Sequence, residues 1–146
     1  MEFVLMGSNH VAQIAELECL CFSAPWSENA IRSELTNPLS LWVVAVDGQK
    51  VAGYVGSQSV MGEADMMNLA VAPEYRRSGI GSKLVESLID RLRNNAVSSL
   101  TLEVRASNDP ACNLYKSLGF SQVGRRPNYY SNPKEDALIL RKEWEV

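Results

Sequence analysis

A chain of 146 residues, 46% of them hydrophobic and 21% charged, is long enough to bury its own core without a disulfide or metal staple. Its formal net charge of −3 argues against a broad nucleic-acid-binding face and mildly favours a basic peptide partner. Its three cysteines, Cys19, Cys21 and Cys112, form no C-x-x-C pair, and the single His10 cannot complete a zinc-type ligand set with them, so the chain reads as reduced, cytoplasmic and metal-free.

Phe3–Met6 is a short apolar piece suited to an edge strand. Ser8 or Asn9 can cap a helix that carries Val11, Ile14, Leu17 and Cys21 on one face. Ser27 is the N-cap of a second, short helix, with Trp26 and Ile31 as its hydrophobic staple, and Asn37-Pro38 ends it. Leu41–Val46 and Val51–Val60 read as strands, and Asp47-Gly48 between them is a hairpin signal. The run Leu41–Val46 is strand-sized, no stretch is long enough to cross a bilayer, and the start of the chain has no signal pattern. Asp65–Val71 is the next strand, stopped by Pro73.

A helix follows to about Asn95, with Leu84, Val85, Leu88, Ile89 and Leu92 at helical spacing. Ser98–Val104 is a strand again: Leu100, Leu102 and Val104 point one way, Thr101 and Glu103 the other. Strand, helix, strand implies a parallel pair. Asp109 as N-cap and Pro110 at N1 start a helix that Gly119 closes. Phe120–Arg125 is a strand, Pro127–Pro133 a loop holding Tyr129 and Tyr130, and Ala137–Arg141 the last strand. No repeat or linker interrupts the pattern, so 1–146 reads as one mixed α/β domain with an antiparallel first half and a parallel centre.

The chain is organised around Arg76-Arg77-Ser78-Gly79-Ile80-Gly81-Ser82, where the strand-loop hands over to the long helix. The first amides of a helix have no intrahelical partner, and the macrodipole adds roughly half a positive charge there. Glycine lets such amides approach a ligand, so the stretch suits a phosphate or diphosphate, with two arginines beside it. It is not a dinucleotide fingerprint, because Leu84 stands at the third glycine position. It is not a P-loop either, because Arg76 stands where the first glycine belongs.

The spacing Arg76-x-x-Gly79-x-Gly81 resembles the acetyl-coenzyme A diphosphate loop of the GNAT superfamily of N-acetyltransferases. Further strings sharpen the resemblance toward its RimI-type branch, which acetylates the N-terminal alanine of a small-ribosomal-subunit protein. They are Pro25-Trp26-Ser27, Asn68-Leu69-Ala70-Val71, Leu102-Glu103-Val104-Arg105-Ala106-Ser107-Asn108, Leu114-Tyr115, Leu118-Gly119-Phe120, Gly124-Arg125-Arg126 and Asn128-Tyr129-Tyr130. The resemblance implies a GNAT fold, one mixed sheet with splayed central strands flanked by helices. It implies acetyl-CoA as co-substrate, held by Leu69, Ala70, Val71, Arg76 to Ser82 and Asn108. It implies Glu103 as general base, Tyr115 as acid toward the thiolate, and Tyr129 and Tyr130 as contacts for the N-terminal peptide of a ribosomal protein.

Acyl transfer to an amine needs a proton acceptor, a donor for the oxyanion and a donor for the leaving thiolate. The Val71 amide is the family's oxyanion donor. No activated nucleophile is evident, so transfer is expected to be direct, by a monomer or weak dimer. The expected geometry puts Glu103 on the same side of the sheet as the glycine-loop helix. Two rivals stay open. The same fold serves other peptide amines, lysines or small amines, and a catalytically silent acetyl-CoA sensor would keep only the cofactor residues. Gly56–Glu63 matches no family string and bears on acceptor choice.

Overall fold

The computed structural model describes Met1–Val146 as one mixed seven-stranded sheet with helices on both faces. In chain order the elements are β1 (Glu2–Leu5), α1 (Val11–Cys21), α2 (Glu28–Ser33), β2 (Ser40–Asp47), β3 (Lys50–Val60), β4 (Glu63–Val71), α3 (Ile80–Asn94), β5 (Ser99–Arg105), α4 (Asp109–Ser117), β6 (Ser121–Tyr130) and β7 (Glu135–Glu143). The strand order is β1-β2-β3-β4-β5-β7-β6. Only β4 and β5 are parallel, with α3 as their crossover. The expected architecture is present, with one addition: the last strand is interior, inserted between β5 and β6.

Alternation along the strands sorts the core into two layers. Val43, Val55, Leu100, Leu102 and Val104 pack with Ile80, Leu84, Val85, Leu88, Ile89 and Leu92 of α3 and with Tyr115 of α4. Val44 and Tyr54, their sequence neighbours, pack on the opposite face with Val11, Ile14 and Leu17 of α1 and Ile31 of α2. Two turns in the left-handed region join the first strands: Gly48, and then Met61-Gly62, whose paired positive φ values suit a type I′ hairpin.

Local expectations are corrected at three places. Neither Ser8 nor Asn9 caps α1. Ser8–His10 is a 3₁₀ turn instead, closed by the Gly7 amide donating to His10 Nδ1 at 2.9 Å. Asn108, not Asp109, caps α4: its Oδ1 accepts the Ala111 amide at 3.2 Å. The carbonyl oxygen of an asparagine serves this role as well as a carboxylate does. Tyr129 and Tyr130 lie within β6 rather than in a loop, because pairing resumes at Tyr130↔Glu135 after a break that follows Arg126↔Ala137.

The feature that positions everything else is an interruption. β4 and β5 pair only at Glu63↔Ser99, Ala64↔Leu100 and Asp65↔Thr101. Beyond Asp65, β4 carries one residue more than β3 needs, since Ser57 faces Met66 while Val55 faces Leu69. This bulge at Met67-Asn68 bends the strand away from β5 and opens a wedge through the sheet. Gly56 lies opposite it, and a Cβ there would stand 2.4 Å from the Trp42 ring.

The bulge is pinned from α1. Glu18 is fully buried and accepts from Asn68 Nδ2 at 2.9 and 3.1 Å, from the Trp26 amide at 2.8 Å and from the Tyr54 hydroxyl. A buried carboxylate is tolerated only with such a donor set. Burial and the adjacent carboxylate push the Tyr54 phenol far up, so it stays a donor. Glu18→Ala would orphan all three donors and is expected to cost about 3 kcal/mol of unfolding free energy. Urea unfolding measures this, and a loss below about 1 kcal/mol would mean that the donors find other partners.

Candidate active site

The loop from β4 to α3 is built as the sequence suggests. Pro73–Tyr75 forms a 3₁₀ turn, and Tyr75 is tied to the β2–β3 hairpin by its hydroxyl donating to Asp47 at 2.7 Å. Arg77 and Gly79 then take positive φ values of 64° and 82°. Ser78 turns its hydroxyl back onto the Tyr75 carbonyl. Gly79 is the N-cap of α3 and offers no side chain to close it. The first amide to find a backbone acceptor is Lys83, on Gly79 O at 3.1 Å. The amides of Arg77, Ser78, Gly79, Ile80, Gly81 and Ser82 have no acceptor in the chain.

A Cβ at Gly79 would meet nothing within 4 Å, so its surface is open. Bare amides at a helix N-terminus beside cationic side chains fit a diphosphate. Arg77 is exposed, and Arg76 is fixed by Nε donating to the Val71 carbonyl at 3.1 Å and by Nη2 lying 3.4 Å from Cys21 Sγ.

Above the bulge, the wedge side of β4 is defined by hydrogen-bond alternation. The Ala72 amide bonds Ala52 O at 2.8 Å, so Ala70 and Ala72 turn their polar groups to β3. Leu69 and Val71 therefore point theirs into the wedge, and the Val71 carbonyl is the group Arg76 takes. The Val71 amide is left facing the gap, beside the head of α3. Ala70 packs on the α1 face and does not line the wedge.

Glu103 and Tyr115 reach this gap from opposite sides. Leu102 and Val104 pack toward α3, so Glu103 projects from the other face of β5. The expectation that Glu103 and α3 share one side is thus overturned. The reason is the period of two along β5, and Glu103 lies on the stretch of that strand that no longer pairs with β4. Tyr115 is buried on the α3 face, with its hydroxyl 3.7 Å from Met66 Sδ on β4 and its ring edge-on to Phe120.

Burial, with smaller contributions from Tyr130 and Cys112, pushes the Tyr115 phenol well above its ordinary value. Burial, followed by the Glu103 carboxylate, raises the Tyr130 phenol. Asn108 stands at the head of α4, with its side-chain oxygen used by the cap. Cys112 is buried packing beneath them. No group of three His, Cys, Asp or Glu side chains is arranged to hold a metal.

On the Glu103 face the bulged end of β6 arches over β5. Asn128 takes a positive φ, its amide bonds Asp136 at 2.8 Å, and Arg125 donates to the same carboxylate at 2.7 Å. Arg105 lies under the Tyr130 ring and donates to Pro133 O, Ser131 O and Glu135. The Ser107 contacts, followed by Arg105, hold the Glu135 carboxyl below the usual range. The Tyr129 phenol is raised, chiefly by its interaction with the Glu103 carboxylate. Arg126 lies 3.5 Å from Glu103 Oε2 and over the Tyr129 ring. Sequence reasoning gave no role to Asn68, Arg105 or Arg126, although all three stood inside the quoted strings, nor to Glu18, Glu135 or Asp136.

An uncapped helix head beside a wedge between parallel strands suits an acyltransferase of the GNAT class. Residues 11–120 match the model of the Acetyltransferase (GNAT) family, and the chain belongs to that family as an N-acetyltransferase. It is 42% identical over 118 residues to a protein from Escherichia coli strain K12 named [ribosomal protein bS18]-alanine N-acetyltransferase, covering 80% of this chain and 79% of that one. It is 36% identical over 135 residues to the N-alpha-acetyltransferase RimI of Mycobacterium tuberculosis, covering 88% and 84%. The crystal structure of the ribosomal-protein-S18-alanine N-acetyltransferase from Escherichia coli superposes with a TM-score of 0.90 at 35% identity, covering 99% of this chain and 94% of that one.

A raised phenol stays protonated in the folded state, so its contribution to stability is complete below about pH 10 and is lost as pH climbs through the folded value. Tyr115 is therefore expected to ionise after the exposed tyrosines. The phenolate absorbance of the protein minus that of Tyr115→Phe should show no signal near pH 10, where a free phenol is about half ionised. A half-developed signal there would refute the burial argument.

Proposed function

We propose that this protein transfers the acetyl group of acetyl-CoA directly to the N-terminal α-amine of a peptide, with the N-terminal alanine of a small-ribosomal-subunit protein as its acceptor. The observation that carries the reading is the wedge: pairing between β4 and β5 ends at Asp65↔Thr101, which leaves the Val71 amide without a β5 partner near unpartnered helix-head amides, sets the Tyr115 hydroxyl against Met66 of β4, and leaves Glu103 on the unpaired stretch of β5.

Acetyl-CoA supplies the acetyl group as an activated thioester. The amides of Arg77 to Ser82, with Arg76 and Arg77, hold its diphosphate, and the wedge side of Leu69 and Val71 offers backbone groups to an extended chain. The Val71 amide donates to the carbonyl oxygen as charge builds there. Glu103 takes the acceptor's proton. At neutral pH much of an α-amine with a pKa of about 7.7–8.0 is protonated, so this step is required. Tyr115 donates a hydrogen bond to the departing sulfur. Its raised phenol makes it a poor ground-state acid, so it contributes the bond rather than its own proton: of the two protons the ammonium loses, one goes to Glu103 and the second, released as the tetrahedral adduct collapses, neutralises the thiolate as CoA–SH. Tyr129 and Tyr130 flank Glu103 and contact the acceptor peptide.

Incubation with acetyl-CoA and the ribosomal peptide should add one acetyl group, about 42 Da, to the α-amine, with no gain on lysines or polyamines. Acetylation of many amines would move the protein to a broad-acceptor class, and binding without turnover would make it a sensor. Glu103→Gln should lower turnover by about 10²–10⁴ near pH 7 and by much less near pH 9, where free amine is abundant. An equal loss at both would mean that Glu103 positions the amine. Arg76→Ala should raise the KM for acetyl-CoA with little effect on the peptide's KM, and an unchanged value would remove Arg76 from the diphosphate site.

A further inference from the structure

The face around Glu103 carries three arginines with unequal obligations. Arg105 is held by two backbone carbonyls, Glu135 and the Tyr130 ring. Arg125 is held by Asp136 at 2.7 Å. Arg126 makes no side-chain hydrogen bond to the backbone and is the arginine that lies against Glu103, at 3.5 Å, with both groups partly open to solvent. It is thus a cation parked on the one carboxylate that the acceptor's own cation has to reach.

We propose that Arg126 is a placeholder for the acceptor's α-ammonium group. It neutralises Glu103 in the unliganded protein, is displaced by an incoming ammonium, and returns once the nitrogen has become a neutral amide. The weakness of the pair suits the role, because partly exposed ion pairs are readily exchanged. Arg126 is also free to leave in a way that its neighbours are not, since only the Tyr129 ring stacks on it. The exchange selects for a cationic nitrogen over a neutral one. It also disfavours product, because an acetylated N-terminus has no charge with which to compete. The inference rests on the reading of Glu103 as the group that meets the acceptor amine.

The test compares two affinities. A peptide with a free N-terminal alanine and its Nα-acetylated form are titrated into the full chain, into Arg126→Gln and into Arg126→Met. The free peptide should bind both neutral variants roughly two- to fivefold more tightly, the range that such an ion pair spans, while the acetylated form is unchanged. Arg126→Lys should restore the wild-type ratio. A merely structural role would shift both peptides alike, and a direct role in gripping the peptide would weaken both. Either outcome overturns the proposal. If the wild-type chain acetylates no peptide α-amine, the underlying reading falls; if it does and the ratio stays fixed, only the placeholder falls.

Discussion

The site depends on a pairing that stops. Three residue pairs join β4 to β5, and then one extra residue in β4 turns it away. In an unbroken parallel sheet the amides of Leu69 and Val71 would be spent on β5, and the two faces would be separate rooms. With the bulge, those amides face a gap, and side chains on opposite faces become neighbours. Tyr115 can then touch β4 from the α3 side while Glu103 stands on the other. The bulge is held by the hydrogen bonds of Glu18, whose carboxylate binds it through Asn68 and the α1–α2 connection through Trp26.

The second constraint is electrostatic and belongs almost wholly to the backbone. Two left-handed residues, Arg77 and the Gly79 cap, leave consecutive amides without acceptors, and no side chain closes the helix head. Arg76 does double duty. By taking the Val71 carbonyl, it couples the loop at the head of α3 to the wedge side of β4. The proposed diphosphate and acyl sites are thus joined by a direct hydrogen bond.

Much of this was legible in the residues because its causes are local. Glycines at a strand-to-helix junction, the helical spacing of Leu84 to Leu92 and the alternation that sets Glu103 against Leu102 and Val104 are short-range patterns, and each appears in the fold. The misses have long-range causes. The Met67-Asn68 bulge is held by a carboxylate fifty positions away, and no local rule distinguishes Asn68 from any other strand asparagine. Tyr129 and Tyr130 read as loop residues because Pro127 and Asn128 look like a break. The pairing of Tyr130 with Glu135 restores the strand beyond it. At α4 two adjacent capping residues competed, and the sequence alone could not show that Asn108 would win.

The same separation explains how a carboxylate and a phenol can work at one gap without disabling each other. Had both been on one face, the burial that keeps Tyr115 protonated would also have closed Glu103 off from solvent and from an incoming ammonium. The wedge divides those requirements between two environments. The α3 face is dry, and it pushes the Tyr115 phenol up. The β6 face is lined with paired charges and open to solvent, and there Glu103 keeps a cationic neighbour. In the proposed reaction the proton leaves on the wet side and the hydrogen bond to sulfur is offered on the dry side. In that reading each group's task follows from the side of the sheet on which it stands, set for Glu103 by the alternation along β5.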